Sequence, residues 1–347
     1  MENKDIKDIR IFIGPMSKNI VDSIIEYVND TGIHIGIIPS RRQIDKDGGY
    51  VNNWTTKDFC NYVRSKTNNI LLVRDHCGPN QGSNEDDGVE SFKEDCKYFD
   101  VIHVDVWKKH KDYESGLKYT IDFINDGFQQ NNSILFEVGT EEAIKNFSVE
   151  DLDTLLSDLK KNLSEEVFKN VKYAVIQSGT SLLGNTNTGV YNDNRLLKMV
   201  EVCNNYNIIS KEHNGDYISN DMLLDKFKKG LNSINVAPEF GQIETKTLLN
   251  SMVEREALTA TSFTASDIIE EFYRICLESK KWCKWVSEDF IPDDNKIELI
   301  NISGHYVFSD SRFLNIKRQL DSNIDDKIKL NIKYKIEEML KYSKIKD

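Results

Sequence analysis

Eight short apolar, β-rich runs recur along the first two thirds of the chain, at 9–14, 33–39, 70–74, 101–106, 133–139, 173–177, 208–212 and 233–237. The segments between them include several with helical spacing. One carries Ile20, Val21, Ile24, Ile25 and Val28; another Phe59, Cys60 and Val63; a third Leu152, Leu155, Leu156, Leu159 and Leu163. Apolar residues three and four apart form one stripe on a helix. The strand runs are mostly continuous rather than alternating, as expected of strands buried on both faces. Strands alternating with helices imply βαβ units and a parallel sheet, and eight such units point to a closed (β/α)8 barrel, a TIM barrel of the α/β class. The rival, an open doubly wound sheet, normally carries a glycine-rich phosphate turn after its first strand, and GPMSKN at 14–19 is not GxGxxG. Beyond about residue 245 the pattern turns helical, at 244–257, 265–277 and 325–342. The expected organisation is therefore a barrel over 1–245 and a C-terminal helical extension over 246–347, packed on the barrel.

Composition narrows the function. The chain of 347 residues holds 45 basic and 57 acidic side chains, for a net charge of −12. Nucleic-acid binding needs a basic surface that displaces counterions, so a general nucleic-acid partner is not expected. No apolar run approaches the ~20 residues of a membrane helix, so no membrane is expected. The N-terminal MENKDIKDIR has no apolar core of a signal peptide, and the six cysteines form no CxxC. Both features fit a cytoplasmic protein with reduced thiols.

Active sites of such barrels sit at the C-terminal ends of the strands. Ionisable residues fall there in nearly every unit: Arg41 and Arg42; Asp75 and His76; His103 and Asp105; Glu137 and Glu141; Lys211 and His213; Glu239. Residues two apart on a strand share a face, so His103 lies with Asp105, Glu137 with Glu141, and Lys211 with His213. Imidazole and carboxylate donors from separate strands suit a divalent ion, Zn²⁺ first among them. The expected ligands are His76, Glu141 and His213. Asp75, Asp105 and Glu239 are the expected proton-moving groups. His103 has two readings, a member of the site or a core histidine bonded to a carbonyl.

The segment Gln177, Ser178, Gly179, Thr180 and Ser181 offers hydroxyls and a close backbone approach, which suit a phosphate as well as an ordinary loop. Arg41 and Arg42 fit an anionic substrate or surface carboxylates. Lys211 raises a Schiff-base mechanism, which Glu212 and Asp216 oppose by favouring a charged ammonium. Trp282 and Trp285, in KKWCKW, read as packing.

Several of these stretches together resemble the so-called non-catalytic subunit family of class II tagatose-bisphosphate aldolase. They are Gln43 with Gly48, Gly49 and Tyr50; DHCGPN at 75–80; IHVD at 102–105; GTE at 139–141; HNGDY at 213–217; and FSDSRFLNIKRQL at 308–320. The chain departs from that family where Lys211-Glu212-His213 shifts a carboxylate by one position, and where QSGTS replaces QPG. The resemblance implies a TIM barrel related to class II aldolases, which use a divalent metal to polarise a ketose-phosphate carbonyl. The expected function is a divalent-metal-dependent enzyme acting on a ketose or sugar phosphate, by aldol cleavage or epimerisation through a metal-held enediolate. The alternative is a non-catalytic subunit that binds and stabilises a class II ketose-bisphosphate aldolase. A homo-oligomer is expected, with an aldolase as the other candidate partner.

Overall fold

Eight parallel strands close on themselves. They are β1 (Ile11–Ile13), β2 (Ile35–Ile37), β3 (Ile70–Cys77), β4 (Val101–Val104), β5 (Leu135–Val138), β6 (Val171–Ile176), β7 (Ile209–Glu212) and β8 (Ser233–Val236). The computed structural model describes residues 5–139, 147–258 and 265–343. Each strand hydrogen-bonds its sequence neighbours, and β8 returns to β1 through the register Ile11 to Ile234 and Ile13 to Val236. The eight runs read from the sequence are these eight strands, so the chain is a TIM barrel. A small hairpin, Leu182–Leu183 with Thr186–Asn187, stands outside it.

Alternation along the strands sorts side chains to the two faces. Ile11, Ile13, Ile35, Ile37, Ile70 and Leu72 point outward into the shell of helices and are fully buried there. The interior has a polarity gradient. Its lower half is a plug of Ile9, Phe12, Ile38, Leu71, Val73, Val101, Tyr173 and Ile209. Phe12 meets Tyr173 edge-on at 5.7 Å, and Phe12 lies across Gly36, where a Cβ would come within 2.0 Å of its ring. Only glycine permits that crossing. Above the plug the inward positions become His103, Glu137 and Lys211, all fully buried. The apolar floor closes the barrel interior at one end, so the polar interior positions are reached from the other.

The C-terminal part is helical, with spans Pro238–Leu258, Ala265–Ser279, Lys296–Ser303, Ser311–Lys317 and Ile324–Ser343. Ile324, Ile328, Ile332 and Ile336 repeat every four residues and form a buried stripe. That stripe packs the last helix against Lys18–Thr31, Asn220–Lys228 and Pro238–Leu258. Helix Pro238–Leu258 runs without a break from the last barrel strand into this region. Barrel and extension thus share one apolar cluster. No described helix is long and apolar enough to cross a membrane.

Candidate active site

The mouth of the barrel brings four side chains from three strands together. Asp75 and His76 come from β3, His103 from β4, and His213 from the end of β7. One donor atom of each lies within 4.8 Å of the others. Asp75 Oδ1 stands 3.5 Å from His103 Nδ1, 3.7 Å from His76 Nε2 and 3.8 Å from His213 Nδ1. Bonds of about 2.0–2.1 Å to a tetrahedral ion place its donors roughly 3.3–3.4 Å apart. The distances from Asp75 approach that spacing, and the full set, within 4.8 Å, is somewhat wider.

Adjacent residues on a strand normally face opposite ways, yet Asp75 and His76 both reach the mouth. The register of β3 against β4 shifts between Arg74 and Cys77, and His76 has φ of 46°. A bulge with a left-handed residue re-aims side chains in this way, and such backbone is characteristic of functional sites. Arg74, just before the shift, still points outward and forms a buried pair with Asp95 at 2.8 Å.

Each imidazole at the two rims is oriented from behind. His76 Nδ1 donates to Asp105 Oδ2 at 2.6 Å, which turns Nε2 toward the cluster. Asp105 is held in turn by Gln81 Nε2 and the Trp107 amide. His213 Nε2 donates to Glu137 Oε1 at 2.7 Å, which turns Nδ1 inward. Glu137 Oε2 accepts from Lys211 Nζ at 2.5 Å. Burial would raise the pKa of Glu137. The Lys211 ammonium and the His213 bond override it and hold the carboxyl far below the usual range. Carboxylates behind ligating imidazoles fix the tautomer and raise the basicity of the ligand. Among the described residues His103 has no such partner, and neither ring nitrogen makes a hydrogen bond there although the residue is fully buried. Leaving a buried polar group unsatisfied costs about 1–3 kcal/mol. A cation at the cluster would remove that cost, so the donor set fits a divalent ion.

A pocket of about 340 Å³ opens above the cluster. Asp75, His76 and His213 form its floor, with Ser40, Gln43, Asn235 and Asp216 around them. Arg42 and Lys108 rise from the strand-end loops, while Lys284, Trp285 and Tyr306 come from the C-terminal extension. Their place at the mouth left no trace in strand periodicity.

The other residues singled out in the sequence lie elsewhere. Glu141 is outside the described residues. Glu239 accepts from the Tyr217 amide and pairs with Lys335 at 2.7 Å. Arg41 is buried between Asp45 and Asp86 and also donates to Gly78 O. Gln177 receives the Phe147 amide. Ser178 is bonded to Glu212, Thr180 to the His213 carbonyl, and the Ser181 amide to Asn187. Gly179 has φ of 102° and packs against Val190, where a Cβ would come within 2.0 Å of its carbonyl oxygen. Lys211, the Schiff-base candidate, is sealed below the cluster, against the rings of Phe12 and Tyr173. Burial lowers its pKa and the Glu137 salt bridge opposes that, but Lys211 is fully buried and does not line the pocket, so a substrate carbonyl does not reach its amine.

No protein-family model matches the sequence, and no curated protein is significantly similar to it. Solved structures are similar in fold. A probable tagatose 6 phosphate kinase from Sinorhizobium meliloti 1021 aligns over 96% of this chain and 96% of its own, with TM-score 0.72 and 15% identity. The fructuronate-tagaturonate epimerase UxaE from Cohnella laeviribosi, complexed with glycerol, aligns over 97% and 81%, with TM-score 0.65 and 10% identity. The YdjI aldolase from Escherichia coli K12 aligns over 96% and 92%, with TM-score 0.57 and 11% identity. At such identities the likeness is one of fold.

Proposed function

We propose that this chain is a divalent-metal-dependent enzyme that cleaves or epimerises a ketose or sugar phosphate. The observation that carries the reading is the convergence of His76, His103 and His213 on Asp75, with two of the imidazoles backed by carboxylates. An aldolase and a sugar epimerase among the structures of like fold support it by analogy. His76, His103 and His213 would hold the ion, which would polarise a carbonyl oxygen and stabilise negative charge beside it. Asp75 has one oxygen toward the imidazoles and lies on the pocket floor, where it moves the proton at the substrate carbon or hydroxyl. Asp105 and Glu137 position His76 and His213. Aldol cleavage and epimerisation next to a carbonyl make the same demand on these groups, so one site serves either.

The test is elemental analysis of the purified protein, followed by turnover assays on a panel of ketoses and ketose phosphates. About one divalent ion per chain is expected, lost together with activity in His103→Ala while circular dichroism stays native. Full activity in a chelator-treated, metal-free preparation would sink the proposal.

A further inference from the structure

The rim of the pocket departs from the rest of this acidic chain. Arg42, Lys108 and Lys284 line the same cavity as Asp75, His76 and His213. Among the described residues, none of the three has a carboxylate oxygen within 4.0 Å. Arg41, next in sequence to Arg42, is by contrast clamped by Asp45 and Asp86. The chain holds 57 acidic against 45 basic residues, so carboxylates are plentiful, yet none among the described residues pairs with this trio.

The three cations are held by neutral groups instead. Arg42 Nε donates to the Gly82 carbonyl at 3.4 Å, and Lys108 Nζ donates to the Asn80 carbonyl. Lys284 Nζ lies over the Trp285 ring at 4.3 Å and near the Tyr306 ring at 5.3 Å. These contacts aim the charges without neutralising them. Lys284 is solvent-exposed at the rim, yet crowding by neighbouring atoms, then Arg42 and Lys281, lower its pKa. Desolvation, then Arg42, lowers that of Lys108 as well. Both lysines therefore feel Arg42 across the one cavity they line, while Asp105 and Asp86 act on Lys108 in the opposite sense. Converging like charges are unfavourable until an anion enters.

We propose that Arg42, Lys108 and Lys284 form a subsite for the phosphate or carboxylate end of the substrate, with the C-terminal extension supplying its third charge. A planar guanidinium offers two parallel donors to either anion, and the two ammonium groups add point charges. A neutral sugar would gain nothing from this trio. Barrel loops and C-terminal extension thus select the substrate together, above the strand-end cluster that carries the chemistry. The assignment rests on the sugar-site reading above.

Binding of inorganic phosphate and of glycolate, measured by calorimetry on the full chain after chelation, tests the subsite without any metal or turnover. One of the two anions should bind. Phosphate would mark a sugar-phosphate substrate and glycolate a sugar acid. Arg42→Gln, Lys108→Gln and Lys284→Gln should each weaken binding by roughly 10–100-fold, the scale of one hydrogen bond to a charged group. The exposed Lys161→Gln should leave it unchanged. Cobalt uptake, read by its visible absorbance, should persist in Lys284→Gln and vanish in His213→Ala, which in turn keeps anion binding. Cobalt failure alone would sink the metal reading and leave the subsite standing. Absence of binding by either anion to the folded wild type, or unchanged binding in the three variants, would overturn the subsite.

Discussion

Lys211 and Glu212 are neighbours on β7 and serve two buried charge networks that face opposite ways. Outside the barrel, Glu212 accepts from Lys226 Nζ at 2.6 Å and from the Ser178 hydroxyl at 2.6 Å, and Lys226 also donates to that hydroxyl at 2.6 Å. The loop of bonds closes on itself. Inside, Lys211 donates to Glu137, and Glu137 accepts from His213. The bonds then lead onto four donor atoms that face one another. A closed network satisfies its own charges and holds structure. An open one gathers lone pairs where a cation can sit, and its cost falls only when the cation arrives.

The sharpest way to break that contrast is Lys226→Met. It leaves the Glu212 carboxylate buried without its cation, which typically costs 3–5 kcal/mol. Urea unfolding should show a loss on that order, with divalent ion per folded molecule unchanged. A stable variant that has lost its ion would reverse the roles assigned to the two networks.

Next in size comes Asp75→Asn, which tests the open side. The shape is kept, three imidazoles remain, and proton transfer suffers. General acid–base groups contribute roughly 10²–10⁴-fold, so kcat should fall by about that factor while metal content holds. An equal fall in metal content would make Asp75 a ligand rather than the proton-moving group.

A smaller effect is expected from Asp105→Asn. Its carboxylate orients His76 from behind, and loss of such a partner typically weakens metal affinity by about 10–100-fold. Competition against a chromophoric chelator measures this directly. Thermal unfolding of the metal-free protein should fall only modestly, because the remaining amide oxygen keeps the Trp107 N–H and Gln81 can turn its own amide to accept from the new NH2 group.

The fold was legible because strand burial on both faces produces continuous apolar runs, and the chain contains eight of them. His76 and His213 were legible as strand-end residues. His103 was legible only in part, since its neighbours Ile102 and Val104 are those of any core strand. What decides its role is the absence of a bonding partner among the described residues around it in three dimensions. Asp75 and His76 share a site only because of the register shift after Arg74, and alternation alone would have separated them. Glu239 and Ser178 were invisible in the other direction. Their partners, Lys335 and Lys226, come from helices distant in sequence, and no local pattern announces such pairing. Lys284 lies in a segment that reads as packing, and its aromatic neighbours do pack. The position of its ammonium over the mouth follows from how the extension docks.

Asp216 sits between the two kinds of network, and its effect emerges only when pH is varied. It lines the pocket, yet its Oδ1 accepts from the Ala237 and Glu239 amides at 3.0 and 2.8 Å, at the start of helix Pro238–Leu258. Burial pushes its pKa up to about 7, with the nearby Glu239 charge adding to the rise and the backbone bonds opposing it. An unfolded aspartate titrates near 3.9. Between those values the native carboxyl holds a proton that the unfolded chain has released. Stability from this group is therefore complete below about pH 4 and falls as pH rises toward 7. One proton sets the limit at about 1.4 kcal/mol per pH unit. Urea unfolding from pH 4 to 8 should show this downward contribution in the wild type, and Asp216→Asn, which keeps the acceptor oxygen and cannot ionise, should flatten it. An identical slope in the variant would assign the proton to another buried acid and leave Asp216 an ionised helix cap, a member of the closed, structural kind.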